Sequence, residues 1–252
     1  GNIVGVYLAA SNGNDVVILA RGSGTTAIDL GAGADRVALA QSANAVILRN
    51  VEVVQGAAGA DQVTIAGATG QVTVSLGAGS DALTLGDDGI RVLATDVEVI
   101  HGGKGADMIT VTAATTVRTR LYGGDGADTI TGGSGKDDIT GGAGADRLTG
   151  GNGADLFVYT AAAQSSVASP DTILDFNPFE GDVLAFAGMG TGGSFRWRGS
   201  LAFTSQGGAE GRFDEVNKTL FVDLNGDGQA DMAFLLPNFS SASFSAQSVV
   251  WA

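Results

Sequence analysis

Residues 123–158 read GGDGADTIT, GGSGKDDIT, GGAGADRLT and GGNGADLFV: four consecutive nine-residue units with glycine at places one, two and four and aspartate at place six. The eighth place is apolar every time, as Ile130, Ile139, Leu148 and Phe157. A flexible glycine-rich linker supplies glycine and aspartate but does not keep an apolar residue in register. The period predicts a strand only a few residues long that anchors inward through place eight, joined by a tight loop to the next strand. Glycine permits positive φ and close backbone approach, so six residues can turn with their carbonyls facing inward. The place-six carboxylates of Asp128, Asp137, Asp146 and Asp155 point into the same hollow. Successive loops fall on opposite sides of a flattened roll, which puts Asp128 with Asp146 on one edge and Asp137 with Asp155 on the other.

The pattern extends upstream in looser form. VEVVQGAAGADQVTI at 51–65 returns as VEVIHGGKGADMITV at 97–111, and LGAGADRVAL at 30–39 returns as LGAGSDALTL at 76–85, both 46 residues on. Turn aspartates occur at Asp15, Asp35, Asp61, Asp81, Asp107 and Asp128, spaced alternately by about 20 and 26 residues before the period tightens to nine. Two short strands and two turns make a coil of about 18–26 residues, whose parallel neighbours stack about 4.8 Å apart. One coil is therefore assigned to each step. The fold class is all-β: a parallel β-solenoid over residues 1–120, a regular roll over 121–158, and a β-rich cap over 159–252.

Composition marks the cap. All eleven phenylalanines lie at 157 or later, as do Trp197, Trp251 and the three prolines, while residues 8–156 contain Tyr122 alone among Phe, Trp and Tyr. Two cores are expected, a narrow one of Val, Ile, Leu, Ala and Thr and an aromatic one.

With 27 acidic against 13 basic residues, the formal net charge is -14. Binders of nucleic acid and of anionic membranes need a basic face, so cations are the expected partners. Carboxylates stacked at strand spacing repel by roughly 3–4 kcal/mol per pair at an effective dielectric near 20, and by about 0.9 kcal/mol in bulk water. A hard dication held between neighbouring loops removes that repulsion, and Ca²⁺ accepts six or more oxygens in flexible geometry better than Mg²⁺ does. Calcium is assigned to the aspartates of the roll and to Gly124, Gly126, Gly133, Gly135, Gly142, Gly144, Gly151 and Gly153 of its loops. The assignment extends to Asp35, Asp61, Asp81 and Asp107 upstream, on one edge, and to Asp171 and Asp175 beyond the last unit.

These units resemble the RTX family, with its calcium-binding nonapeptide G-G-x-G-x-D-x-U-x. The stretches ADLFVYTAAAQSSVASPDTILDFNPFEGDVLAF (154–186) and LFVDLNGDGQADMAF (220–234) resemble the C-terminal domain of serralysin-type secreted metalloproteases. The resemblance implies a right-handed calcium β-roll leading into a β-sandwich-like cap. It also implies export of the unfolded chain by type I (ABC transporter) machinery under an uncleaved C-terminal signal, and folding on calcium outside the cell. This chain ends FSAQSVVWA, with Ser248 where many such signals carry an acidic residue. The absence of cysteine and the opening GNIVGVYLAA, which lacks a basic segment, agree with such export.

DLNGDGQAD sets Asp223, Asn225, Asp227 and Asp231 at places one, three, five and nine of a calcium loop, but Phe234 holds place twelve, where an EF-hand needs glutamate. A partial site or an acidic hairpin turn are the two readings. No enzyme signature is present. The sole histidine, His101, is followed by GGKGAD and belongs to no HExxH zinc helix, and GGSGKD lacks the Ser or Thr that a phosphate loop places after lysine. The expected function is a non-catalytic, secreted calcium module, extracellular or at the cell surface, with no membrane span. Two alternatives stand beside it: part of a self-assembling surface-layer or adhesin protein, and a β-helix enzyme acting on cell-surface polysaccharide.

Overall fold

The computed structural model describes residues 7–9, 12–20, 25–189, 195–244 and 246–251. The opening segment read above for export falls mostly outside them.

The chain winds as a right-handed parallel β-solenoid. Alternate strands feed two facing sheets of eleven and thirteen strands. One face runs from Tyr7–Ala9 through Ala45–Arg49, Ala82–Leu85, Arg120–Asp125 and Leu156–Tyr159 to Val183–Phe186 and Val249–Trp251. The other runs from Val16–Ile18 through Val53–Gln55, Arg91–Thr95, Thr129–Thr131 and Arg147–Thr149 to Asp171–Ile173. Pairing is parallel along both faces and turns antiparallel only where Met232–Leu235, Thr219–Asp223 and Glu210–Asp214 close the end. Parallel pairing with both sheets facing inward demands short strands of alternating burial. Val72, Val74, Val92, Ala94, Ile109, Ile130 and Leu148 are correspondingly enclosed, while the alternate residues, such as Thr73, Leu93, Thr129 and Arg147, are less buried.

The four place-eight residues are wholly buried. They do not form a core separate from the aromatic one: a single apolar cluster runs from Ile28 to Val249, and only its chemistry changes along the axis. Phe157 packs edge-on to Phe176, and Tyr159 edge-on to Phe234, so aromatic rings begin at the last nine-residue unit. The cap continues both sheets, which makes the expectation of two cores incorrect.

The 46-residue repeat carries a second surprise. Val53–Gln55 lies in the thirteen-stranded sheet, whereas its counterpart Val99–His101, five strands later, lies in the eleven-stranded one. The repeat spans five half-coils and therefore moves each motif to the opposite face. Both faces present the same buried aliphatic rows, so one sequence unit serves either.

Candidate metal centre

Most coils bring an acidic or amide residue to the position just before the strand, and Ile90 and Thr119 take that place in two of them. There the backbone N–H points along the solenoid axis toward the next coil and finds no carbonyl in the sheet ladder. A carboxylate from the next coil accepts it. At the edge entering the thirteen-stranded sheet, the N–H of Asp15 donates to Asp35 (2.7 Å), Ile90 to Asp107 (2.5 Å), Asp107 to Asp128 (2.7 Å), Asp128 to Asp146 (2.8 Å) and Asp146 to Asp171 (2.9 Å). At the other edge Asn44 donates to Asp61 (2.9 Å), Asp61 to Asp81 (2.7 Å), Thr119 to Asp137 (2.9 Å), Asp137 to Asp155 (2.8 Å) and Asp155 to Asp182 (2.9 Å). The carbonyls of Asp128 and Asp146 meanwhile accept the N–H groups of Arg147 and Thr172, both at 2.8 Å. Backbone and side chain thus lock successive coils together.

The bonds use one carboxylate oxygen. The other Oδ of Asp15, Asp35, Asp61, Asp81, Asp128, Asp146 and Asp155 is buried without a hydrogen-bond partner, while that of Asp171 lies beside the buried Tyr159 hydroxyl. Such atoms are rare in folded proteins, and a buried anionic one is costly. Their surroundings show what they face. A Cβ added to Gly123 would collide with Asp128 Oδ2 and with the Gly141 carbonyl of the loop stacked on it. At Gly132 it would lie 2.6 Å from Asp137 Oδ2 and against the Gly150 carbonyl. The place-one glycines are therefore required by crowding, because carboxylate and carbonyl oxygens of two loops converge there. Gly142 and Gly144, at φ 114° and 148°, supply the turn itself. Gly124, Gly126, Gly151 and Gly153 are also left-handed; Gly133 and Gly135 are not, and their loop stacks on the Thr115 and Val117 carbonyls instead.

Burial dominates the protonation equilibria of these carboxylates. Burial, with smaller repulsion from neighbouring carboxylates, pushes Asp128 and Asp155 up to about 7 against the pull of the axial N–H. Burial likewise pushes Asp171 to about 7 and Asp182 to about 6, and raises Asp81, Asp137 and Asp146. Among the described residues, no three His, Cys, Asp or Glu side chains form a metal-binding group. Carbonyls must furnish most ligands here, a donor set that suits a hard cation such as Ca²⁺ and not Zn²⁺.

Not every residue expected at a site is alike. Asp107 and Asp137 spend their second oxygens on the Gly103 and Gly133 N–H groups, at 2.9 and 2.8 Å. Asp175 receives the Gly150 and Gly151 N–H groups, both at 2.9 Å, beside the last unit. In the cap loop, Asp223 accepts from Gly226 (2.7 Å) and Gly228 (2.8 Å), while Asp231 holds Leu224 and Asn225. Asn225 accepts from Asp227, and Asp227 from Gln229. These bonds make a self-satisfied turn joining two antiparallel strands.

Upstream aspartates occupy both edges, Asp35 and Asp107 on one and Asp61 and Asp81 on the other. Placing them on one edge was incorrect because a 20-residue step is one coil while a 26-residue step is a coil and a half. Sequence reasoning also missed Glu52 and Glu98, which accept the N–H groups of Asp35 and Asp81 at 2.6 Å, and Asp182. The glutamates were readable as the shared VEV of 51–53 and 97–99. Asp182 lies 27 residues beyond Asp155, nine more than the 18-residue coil that links Asp137 to Asp155.

Comparison with known proteins agrees with this geometry. The RTX calcium-binding nonapeptide repeat matches in four copies over residues 121–157. Curated protein sequences give no match. Among solved structures, the AlgE6R2 subunit of the Azotobacter vinelandii mannuronan C5-epimerase aligns at 25% identity over 61% of this chain and 91% of its own, with a TM-score of 0.41. The AlgE6R3 subunit of that epimerase aligns at 26% identity over 63% and 78%, with a TM-score of 0.36. Residues 121–157 of this chain are RTX calcium-binding nonapeptide repeats.

Proposed function

We propose that the chain is a calcium-dependent folding module, non-catalytic in itself, of a protein exported unfolded by a type I system. Residues 159–252 act as the cap that closes the roll and carry the export signal. The carrying observation is the row of buried carboxylate oxygens that lack a partner, those of Asp128, Asp146 and Asp155 crowding the place-one glycines. Asp128, Asp146, Asp155 and Asp171, with the loop carbonyls of residues 123–153, hold Ca²⁺ between stacked loops. Asp35, Asp61 and Asp81, each with the same unpartnered oxygen, extend the binding upstream. Asp107, Asp137 and Asp175 fix the loops through their N–H groups.

Calcium supplies the positive charge that the interior lacks. The acidic edges alone oppose closure, so a chain at the low free calcium of a cytoplasm stays extended and fit for export. Outside, millimolar calcium saturates modules with dissociation constants of about 10⁻⁴–10⁻³ M and draws the chain into the folded state by mass action. The test is far-ultraviolet circular dichroism during a calcium titration, with magnesium as control. A cooperative gain of β signal with calcium and none with equal magnesium is expected; identical spectra in chelator and calcium would refute the proposal.

A further inference from the structure

Two features of the cap remain outside the calcium edges. The first is Phe179, 82% exposed. It sits at the tip of a turn tied by hydrogen bonds from Asn177 N–H to Asp182 (2.8 Å), Glu180 N–H to the Asn177 carbonyl (3.0 Å) and Phe179 N–H to Asn177 Oδ1 (3.2 Å). The ring is thus presented on a fixed support, with the exposed carboxylate of Glu180 next to it. A rigid aromatic in water costs little further ordering when it docks.

The second feature is a cavity of about 640 Å³ on the outer side of the hairpin formed by Glu210–Asp214 and Thr219–Asp223. Phe203, Phe221, Val167 and Gln229 line it around Arg212, whose guanidinium lies 5.4 Å from the Phe203 ring centre and 4.5 Å from that of Phe221. Other cap cations have acidic partners: Arg196 and Arg198 face Glu210, and Lys218 faces Glu215. Among the described residues no carboxylate forms a close ion pair with Arg212, although its charge reaches the Asp214 carboxylate on the same strand. Its stacked guanidinium keeps its N–H donors available for an anion.

From these we infer that the Phe179–Glu180 turn of one molecule docks into the Arg212 cavity of a second copy, with the ring against Phe203 and Phe221 and the carboxylate on the guanidinium. The complementarity is of shape class and of charge: one exposed aromatic with an adjacent anion, and one aromatic-lined recess with an unpaired cation. Aromatic and arginine residues are the usual anchors of such contacts. Knob and recess share no residue, so reciprocal docking closes a two-fold dimer, and one-way docking builds a ring or an open chain. It is small, so the association is weak and appears at high protein concentration.

Sedimentation equilibrium of the full chain in saturating calcium, over a wide concentration range, tests the pairing. The wild type is expected to gain mass with concentration, and Phe179→Ser to raise the dissociation constant by about tenfold or more. Glu180→Arg and Arg212→Glu each weaken association alone, and the double variant carrying both restores it. Circular dichroism verifies that each variant folds; Phe179→Ser and Glu180→Arg alter only exposed side chains and keep the test valid if Arg212→Glu does not fold. A monomer at every concentration, association unaffected by Phe179→Ser, or binding of an acidic saccharide in the recess of a chain that stays monomeric would overturn the inference.

Discussion

At the scale of the residue, an aspartate at place six has two tasks that its two oxygens divide. In Asp128, Asp146 and Asp155 one oxygen terminates an axial N–H and the other is buried without a partner, the oxygen proposed to meet a cation, whereas Asp137 gives its second oxygen to the Gly133 N–H. Asp146→Asn preserves the acceptor for the Asp128 N–H and replaces the unpartnered oxygen with a neutral group. It is expected to raise the calcium concentration at half-folding by at least the roughly 10–100-fold typical of damage to a metal's supporting residues. Asp125→Asn, at an exposed place-three position, is expected to leave the midpoint unchanged; calcium titration of both variants by circular dichroism decides. Glycine has a comparable division. Gly141→Ala would drive a methyl into Asp146 Oδ2 and is expected to destabilise the calcium-loaded fold by about 1–3 kcal/mol, the usual cost of overpacking. Gly70→Ala meets nothing within 4 Å and lacks positive φ, so urea denaturation of that variant should show no loss.

At the scale of the element, the two ladders behave as stacks of coupled carboxylates. Without metal, Asp128, Asp155 and Asp171 titrate in the fold near 7 and Asp182 near 6, mainly because burial opposes their charge. In the unfolded chain an aspartate titrates near about 3.9. Folding therefore binds protons, and its stabilising contribution is complete below about pH 4 and lost as pH rises through 6 to 7. In chelator, acidification from pH 7.5 toward 4.5 is expected to favour folding; in calcium, protons compete with the ion and the dependence reverses. Circular dichroism against pH in the two media checks the sign, and parallel curves would contradict it. Much of the ladder was legible in the sequence: the place-eight residues Ile130 to Phe157 announced inward strands, and the nine-residue period announced alternate edges. What escaped was whatever depended on coil length. Upstream coils of 17 to 21 residues hid which edge Asp61 or Asp107 occupies, and the insertion between Asp155 and Asp182 broke the 18-residue spacing although the stacking continued.

At the scale of the whole molecule, the aliphatic solenoid and the aromatic end form one continuous core between two sheets. Carboxylate repulsion and unsatisfied oxygens at the edges add to the chain entropy that works against closing it. In the proposed function, calcium decides whether the chain is compact. Small-angle scattering of the full chain, from chelator to several millimolar calcium, tests this most directly. Chain-length scaling for 252 residues gives a radius of gyration of roughly 55 Å unfolded and about 18 Å for a compact fold, an elongated roll lying somewhat above the latter. The expected result is contraction from near the larger value toward the smaller at dilute, constant mass. A radius already compact in chelator and unmoved by calcium would contradict the account.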